Sequence, residues 1–253
     1  MSLENKINGI QAIVTGGASG IGRATVEALA GNGARVRVVS RNADKLEKVM
    51  QEVKGAIEIV QGDATDPAVV ARSLEGISPD LLVLSAGQPP VHGAVTELSW
   101  ESFSVNWSND VKSTFLFGQE VMRRPLRAGS TVVILSSGAA LGGSPLTGGY
   151  GGSKWTQKLL AQYLQGISDQ RKLGIRFVAL IPKQMVVGTE IGDQASKMYA
   201  AKAGITQEKF LERFGKPLTP QMVAEGILMI ARGEGPGGPA IAITGNNGLE
   251  AMG

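Results

Sequence analysis

The sequence predicts an α/β fold, a doubly wound parallel sheet of about seven strands with helices on both faces. Three observations carry this expectation. Seven short runs rich in Val, Ile and Leu recur with little polar alternation, the pattern of strands covered on both faces. Most intervals between them are long enough for a crossover helix, so right-handed βαβ units follow. A glycine-rich turn, Thr15-Gly16-Gly17-Ala18-Ser19-Gly20-Ile21-Gly22, separates the first run from the first helical pattern.

Taken in order, the first strand is residues 12–14. After the glycine turn, Val26, Leu29 and Ala30 fall at i, i+3 and i+4 and mark a helix that Gly31 and Gly33 end. Further strands are expected at 36–39, 57–60, 81–84, 132–135, 177–181 and 240–243. Thr219-Pro220 reads as the N-cap and first residue of a helix running from Met222 to Ala231. Residues 188–216 depart from the alternation. They hold two short helical patterns, Ile191/Ala195/Met198/Tyr199 and Phe210/Leu211/Phe214, divided by Gly204. This stretch follows the C-terminal end of the sixth strand, where open α/β sheets bind ligands. A substrate lid and a pair of packing helices are both open readings. With no repeat or linker, residues 1–253 read as a single dinucleotide-binding and catalytic domain.

Composition narrows the field. A hydrophobic fraction of 43% suffices for a core, and charged residues make up 19%. The formal charge of +3 comes without a block of like charges. The densest basic pair, Arg123-Arg124, reads as a solvated helix end rather than a nucleic-acid patch. There are no cysteines, hence no disulfides, thiol nucleophiles or cysteine metal sites. The lone histidine, His92, cannot build a multi-histidine metal centre; it reads as an exposed loop residue, with a place at the substrate mouth as the alternative. No metal is expected. No apolar run reaches the roughly 18 residues of a membrane span. The N-terminus lacks a signal-type apolar stretch, so a cytoplasmic protein is expected. Hydrolase and NTPase readings fail for want of a Gly-x-Ser-x-Gly elbow or a Gly-x-x-x-x-Gly-Lys-Ser/Thr loop.

The glycine turn has the strand-before, helix-after context of a nucleotide cradle. Gly16 permits the tight turn, Gly20 lets the backbone approach a pyrophosphate, and Gly22 lets helix and strand pack closely. The helix N-terminus then offers N–H groups and partial positive charge to phosphates. At the end of the second strand, an acidic residue would bind the ribose 2′-OH of NAD. This chain has Ser40-Arg41 there. Serine leaves room for a 2′-phosphate and a guanidinium can grip it, so NADP(H) is preferred, with NAD(H) still possible. Arg41 also has a plain reading, as a surface residue beside the helix cap Asn42. Asp63 can accept from an adenine amino group or cap its own turn.

Tyr150 and Lys154 stand four positions apart in Gly148-Gly149-Tyr150-Gly151-Gly152-Ser153-Lys154. One helical turn puts both side chains on one face. A free phenol titrates near 10, and both a neighbouring ammonium and an oxidised nicotinamide ring stabilise its anion. Lowering that value by about two units takes roughly 2.7 kcal/mol. Tyr150 thereby qualifies as an acid/base, Lys154 can also bind ribose hydroxyls, and Ser137 can hold a substrate oxygen.

These motifs resemble the short-chain dehydrogenase/reductase family in its single-domain form, over most of the chain from Gly9 to Gly248. The resemblance implies a Rossmann-type fold, a nicotinamide cofactor, a small carbonyl or alcohol substrate, and a homodimer or homotetramer. It assigns catalysis to Ser137, Tyr150 and Lys154. It extends the cofactor set beyond Gly16, Gly20 and Gly22 to Ser19, Ile21, Ala64, Ala86, Gly87, Pro182 and Thr189. Several positions depart from the family pattern. Ser85-Ala86-Gly87 stands for Asn-Ala-Gly. Counting back five from Phe115 lands on Asp110 where the family keeps the asparagine of its catalytic tetrad, which makes Asp110 a fourth catalytic candidate, with Asn106 and Asn109 nearby. Pro182-Lys183 stands for Pro-Gly, and Thr189 comes two positions late. These departures motivate a second hypothesis, a non-catalytic nicotinamide sensor or interaction module. The aliphatic and methionine residues Met185, Val186, Val187 and Met198 point to an apolar substrate. Trp155 is a candidate subunit contact, and neither nucleic acid nor membrane is an expected partner.

Overall fold

The computed structural model describes residues 7–252. Its strands are β1 (Gln11–Thr15), β2 (Arg35–Ser40), β3 (Ala56–Gln61), β4 (Leu81–Leu84), β5 (Thr131–Leu135), β6 (Arg176–Pro182), β7 (Ala240–Thr244) and β8 (Gly248–Ala251). They form one sheet in the order β3-β2-β1-β4-β5-β6-β7-β8. The first seven run parallel, and β8 returns antiparallel to β7. Strand order reverses between β1 and β4, which opens a crevice at their C-terminal ends.

Alternate strand residues feed two cores. Val14, Val38 and Val83 face one side, where they meet Val26 and Leu29 of α1 (Gly20–Gly31), Leu46 of α2 (Ala43–Glu52) and Ile227 of α10 (Pro220–Arg232). Ile13, Leu82 and Ile134 face the other. There they meet Val70 of α3 (Pro67–Leu74), Phe117 of α5 (Lys112–Arg123) and Leu164 of α7 (Tyr150–Gln170). The two-residue strand period thus fills both layers.

Two expectations are corrected. The sheet has eight strands, not seven. Gly248-Leu249-Glu250-Ala251 has no apolar run to betray a strand. It pairs because the Thr244 hydroxyl accepts from Asn247 N–H at 3.1 Å and Gly248 takes φ 67°. Nor is every strand covered on both faces. β3 is an edge whose side chains are half-buried or exposed, including Ile59 at 41%.

Other local readings hold. Thr219 caps α10, accepting from Met222 N–H at 3.3 Å, with Pro220 first in the helix. Arg123 ends α5 and Arg124 follows as its exposed cap. Residues 188–216 contain α8 (Glu190–Lys202), α9 (Gln207–Leu211) and a 3-10 turn (Glu212–Phe214), with Gly204 at φ 64° between α8 and α9. The remaining helices are α4 (Trp100–Asn106) and the short α6 (Ala139–Gly142). A π-helical turn, Trp107–Val111, joins α4 to α5. Among the described residues no helix is long and apolar enough to cross a membrane.

Candidate active site

A cleft of about 580 Å³ opens at the crevice. Gly16, Ser19, Gly20, Ile21 and Gly22 form one wall, and Ser137, Tyr150 and Lys154 form another. Gly87, Pro182 and Thr189 also reach it.

The glycine turn is built by contact. A Cβ on Gly16 would lie 2.8 Å from the Ala86 Cα, and one on Gly22 would lie 2.3 Å from the Gly16 carbonyl oxygen. At Gly20, with φ 52°, the nearest atom to an added Cβ is Thr189 Cγ2 at 3.6 Å. Close approach therefore governs Gly16 and Gly22, and open space lies beside Gly20. Ser19 gives the first turn of α1 no side-chain cap, so its N–H groups face the cleft as donors for an anion. The Thr15 hydroxyl accepts from the Ser85 and Ala86 N–H groups at 3.1 Å each. The Ser85 hydroxyl donates to the Thr15 carbonyl, so serine keeps a β1–β4 tie. This cradle fits a dinucleotide.

Beyond the cleft, Arg41 is engaged within the protein. Its guanidinium donates to Gln88 Oε1 at 3.0 Å and lies 3.6 Å from Asp63 Oδ2. Asn42 caps α2 by accepting from Lys45 N–H. Asp63 also accepts from the Thr65 N–H at 2.8 Å, so its turn-capping reading is borne by geometry. Burial pushes the Asp63 carboxyl up, but the Thr65 bonds and then Arg41 hold it below its ordinary value. Ser40 offers its hydroxyl to the Asn42 N–H, and Ala64 is buried under the β3 end. Lys45, unremarked in the sequence, lines the cleft from α2. Nothing local in its sequence distinguishes it from any solvated helix lysine.

Glycines also set the approach to Tyr150. Gly149 N–H donates to the Phe103 carbonyl at 3.0 Å, and a Cβ there would come within 2.5 Å of that oxygen. Helix α4 therefore passes close under the start of α7. Tyr150 is buried, and the Lys154 ammonium stands 5.5 Å from its ring centroid. Burial pushes Tyr150 above its ordinary 10.0; Lys154 pulls it down, Asp110 pushes it up, and the Ser137 hydroxyl pulls it down. The net direction is up, because burial and a carboxylate oppose the ammonium.

Asp110, fully buried, lies behind Lys154 with Oδ2 at 3.0 Å from Nζ. Its other oxygen accepts from the Gln88 N–H at 2.9 Å. The nearby asparagines are committed elsewhere. Asn106 donates to the Gln88 carbonyl and Asn109 to the Val105 carbonyl. The π turn places Asp110 where this pairing occurs, a feature the sequence did not signal. Burial pulls Lys154 down, but Asp110 and then Tyr150 push it up, and the net direction is up. Gln157 and Thr114, also missed, complete this buried polar cluster: Gln157 Nε2 donates to Thr114 Oγ1 at 2.7 Å.

The loop after β6 turns Lys183 toward β8, with Nζ 3.5 Å from Glu250 Oε2. Thr189 caps α8, accepting from Gly192 N–H at 3.1 Å. His92 is half-buried, not exposed as expected, because the loop after β4 folds back to pair Gly93 with Thr147.

The sequence profile described as "short chain dehydrogenase" matches residues 11–200. D-threitol dehydrogenase of Mycolicibacterium smegmatis is 32% identical over 199 residues, covering 75% of each chain. Carbonyl reductase [NADPH] 2 of Sus scrofa is 37% identical over 141 residues, 53% of this chain and 56% of the relative. A 3-ketoacyl-(acyl-carrier-protein) reductase from Brucella melitensis, solved with NADH, superposes with a TM-score of 0.79 at 21% identity. It covers 96% of this chain and 99% of its own, a likeness of fold alone. This chain belongs to the short-chain dehydrogenase/reductase family of nicotinamide-dependent oxidoreductases acting on alcohol or carbonyl groups.

Proposed function

We propose that the chain is an NADP(H)-dependent carbonyl reductase with Tyr150 as proton donor. The observation that carries this is the convergence of Ser137, Tyr150 and Lys154 on the cleft that the glycine turn floors. A bound nicotinamide supplies the hydride that carbonyl reduction needs. Gly16, Ser19, Gly20, Ile21 and Gly22 hold the pyrophosphate; Ala64, Ala86, Gly87, Pro182 and Thr189 line the rest of the cofactor's course. Ser137 orients the carbonyl oxygen, and Tyr150 gives it a proton. The whole chain serves as one dinucleotide-binding and catalytic unit, with residues 188–216 as a lid over the substrate.

The NADP preference rests on Ser40 in place of a carboxylate, with Arg41 beside it and Lys45 on the cleft wall. A 2′-phosphate competes with Asp63 and Gln88 for Arg41, and it offers the guanidinium a doubly charged partner. On the substrate side, Tyr199 stacks on Phe210 at 6.1 Å, and Phe214 meets Phe210 edge-on at 5.6 Å. With Met185 and Ile191 on the same wall, they favour an apolar, ring-bearing carbonyl compound. A homodimer or homotetramer completes the proposal.

The test is Tyr150→Phe, assayed by NADPH absorbance across a panel of carbonyl compounds. Turnover is expected to fall by about 10²–10⁴-fold while NADPH still binds. Undiminished turnover in the variant removes Tyr150 from this role. NADPH binding without turnover by the unaltered chain on any carbonyl would favour the sensor reading instead.

A further inference from the structure

The Lys154 ammonium is engaged inside the protein by two hydrogen bonds and an ion pair. Nζ donates to Gln157 Oε1 at 2.8 Å and to the Leu135 carbonyl at 3.3 Å, and it pairs with Asp110 Oδ2 at 3.0 Å. Two neutral acceptors and one carboxylate therefore neighbour the ammonium. The acceptors are themselves anchored. Gln157 Nε2 donates to Thr114 Oγ1 at 2.7 Å and to the Asp110 carbonyl at 3.2 Å. Thr114 Oγ1 donates to that same carbonyl at 2.9 Å. Asp110, Thr114 and Gln157 are each no more than 1% exposed. This buried network engages the ammonium within the protein.

We propose that Asp110 and Gln157 are positioning residues that spend the Lys154 charge inside the protein, building the site for carbonyl reduction and against alcohol oxidation. The inference rests on Tyr150 being the acid/base. In reduction the Tyr150 O–H bond breaks and its proton bonds to the substrate oxygen, while a bound reduced nicotinamide would supply the hydride that the carbonyl carbon needs. Oxidation runs those transfers backward and must start from the phenolate. A carboxylate paired to the Lys154 ammonium weakens the field by which that ammonium would stabilise the phenolate, whereas an uncharged asparagine would leave the ammonium uncompensated. Burial of the phenol acts in the same sense.

The surrounding charges do not replace Lys154. Lys45 on α2, Lys183 after β6, and Glu190 and Tyr199 on α8 share the cleft, and Ser137 faces the phenol as a neutral donor. Lys154 and Asp110 are the charges that act on Tyr150.

The test is an ultraviolet tyrosinate titration of the cofactor-free full chain. There are three tyrosines, and subtracting the Tyr150→Phe curve isolates Tyr150. Asp110→Asn is expected to lower the Tyr150 midpoint by about one pH unit or more. Gln157→Met, which frees one ammonium proton, is expected to lower it by less and provides the test should Asp110→Asn fail to fold. Below its midpoint, Asp110→Asn is expected to gain about tenfold in alcohol-oxidation kcat per unit shifted. A midpoint that stays put or rises in the variants overturns the inference, even where Tyr150→Phe abolishes turnover. Full turnover in Tyr150→Phe overturns instead the reading of Tyr150 on which it rests.

Discussion

Single residues decide which cofactor is held and how readily a proton moves. Just past β2, Arg41 is 55% exposed in its side chain, and on the proposed reading its partners Asp63 and Gln88 can be exchanged for a phosphate. A hydrogen bond to a charged group contributes about 1.5–3 kcal/mol. Arg41→Ala is therefore expected to raise the NADPH dissociation constant by about 10–100-fold and to change that for NADH by less than about threefold. Lys45→Ala should act in the same direction and more weakly, since lysine offers a point charge rather than a fork. Equal losses for both cofactors, read by fluorescence titration, would refute the phosphate grip. These side chains also show what a sequence carries. Tyr150 and Lys154 could be found because one helical turn fixes their spacing. Lys45 and Gln157 could not, since their place depends on how α2 and α7 lie against other elements. Asp110 was found by counting, but its partner was not, because a π turn rather than α periodicity aims it at Lys154.

At the scale of elements, the start of α7 is set by its packing on α4. Gly149→Ala would drive a Cβ to 2.5 Å from the Phe103 carbonyl oxygen, which also accepts the Gly149 N–H. The two helices would have to part, carrying Tyr150 off its position. A loss of about 1–3 kcal/mol in stability is expected, as for overpacking, with a fall in turnover larger than any fall in cofactor affinity. Gly166 supplies the contrast on the same helix. An added Cβ there meets nothing within 4 Å, so Gly166→Ala should stabilise by up to about 1 kcal/mol and leave turnover alone. Urea unfolding of the two variants separates the effects; equal destabilisation by both would mean that helix propensity, not the α4 contact, governs. Helix caps such as Thr219 were readable because their hydrogen bonds are local. The Gly149 contact was not, since it joins residues 46 apart in the chain. β8 escaped for a related reason: its pairing comes from a turn and a neighbour, not from its own pattern.

At the scale of the whole molecule, the apolar surface is distributed unevenly. Trp155, Leu159, Tyr163 and Ile167 repeat every four residues along the outer side of α7, and Trp155 and Tyr163 are 49% and 59% exposed. Phe115, on the neighbouring α5, is 49% exposed. A contiguous stripe of large apolar side chains is more than the scattered exposure of an ordinary surface. A second copy of this chain, bringing the same stripe, can cover it symmetrically. Trp155 follows Lys154 directly, so such an interface would also brace the helix that carries Tyr150 and Lys154. Sedimentation velocity is expected to give a dimer or tetramer. Trp155→Glu is expected to shift the population toward monomer, because an unpaired carboxylate in a buried interface costs several kcal/mol. If the unaltered chain sediments as a monomer at micromolar concentration, the stripe has another role and α7 is braced by its own fold alone.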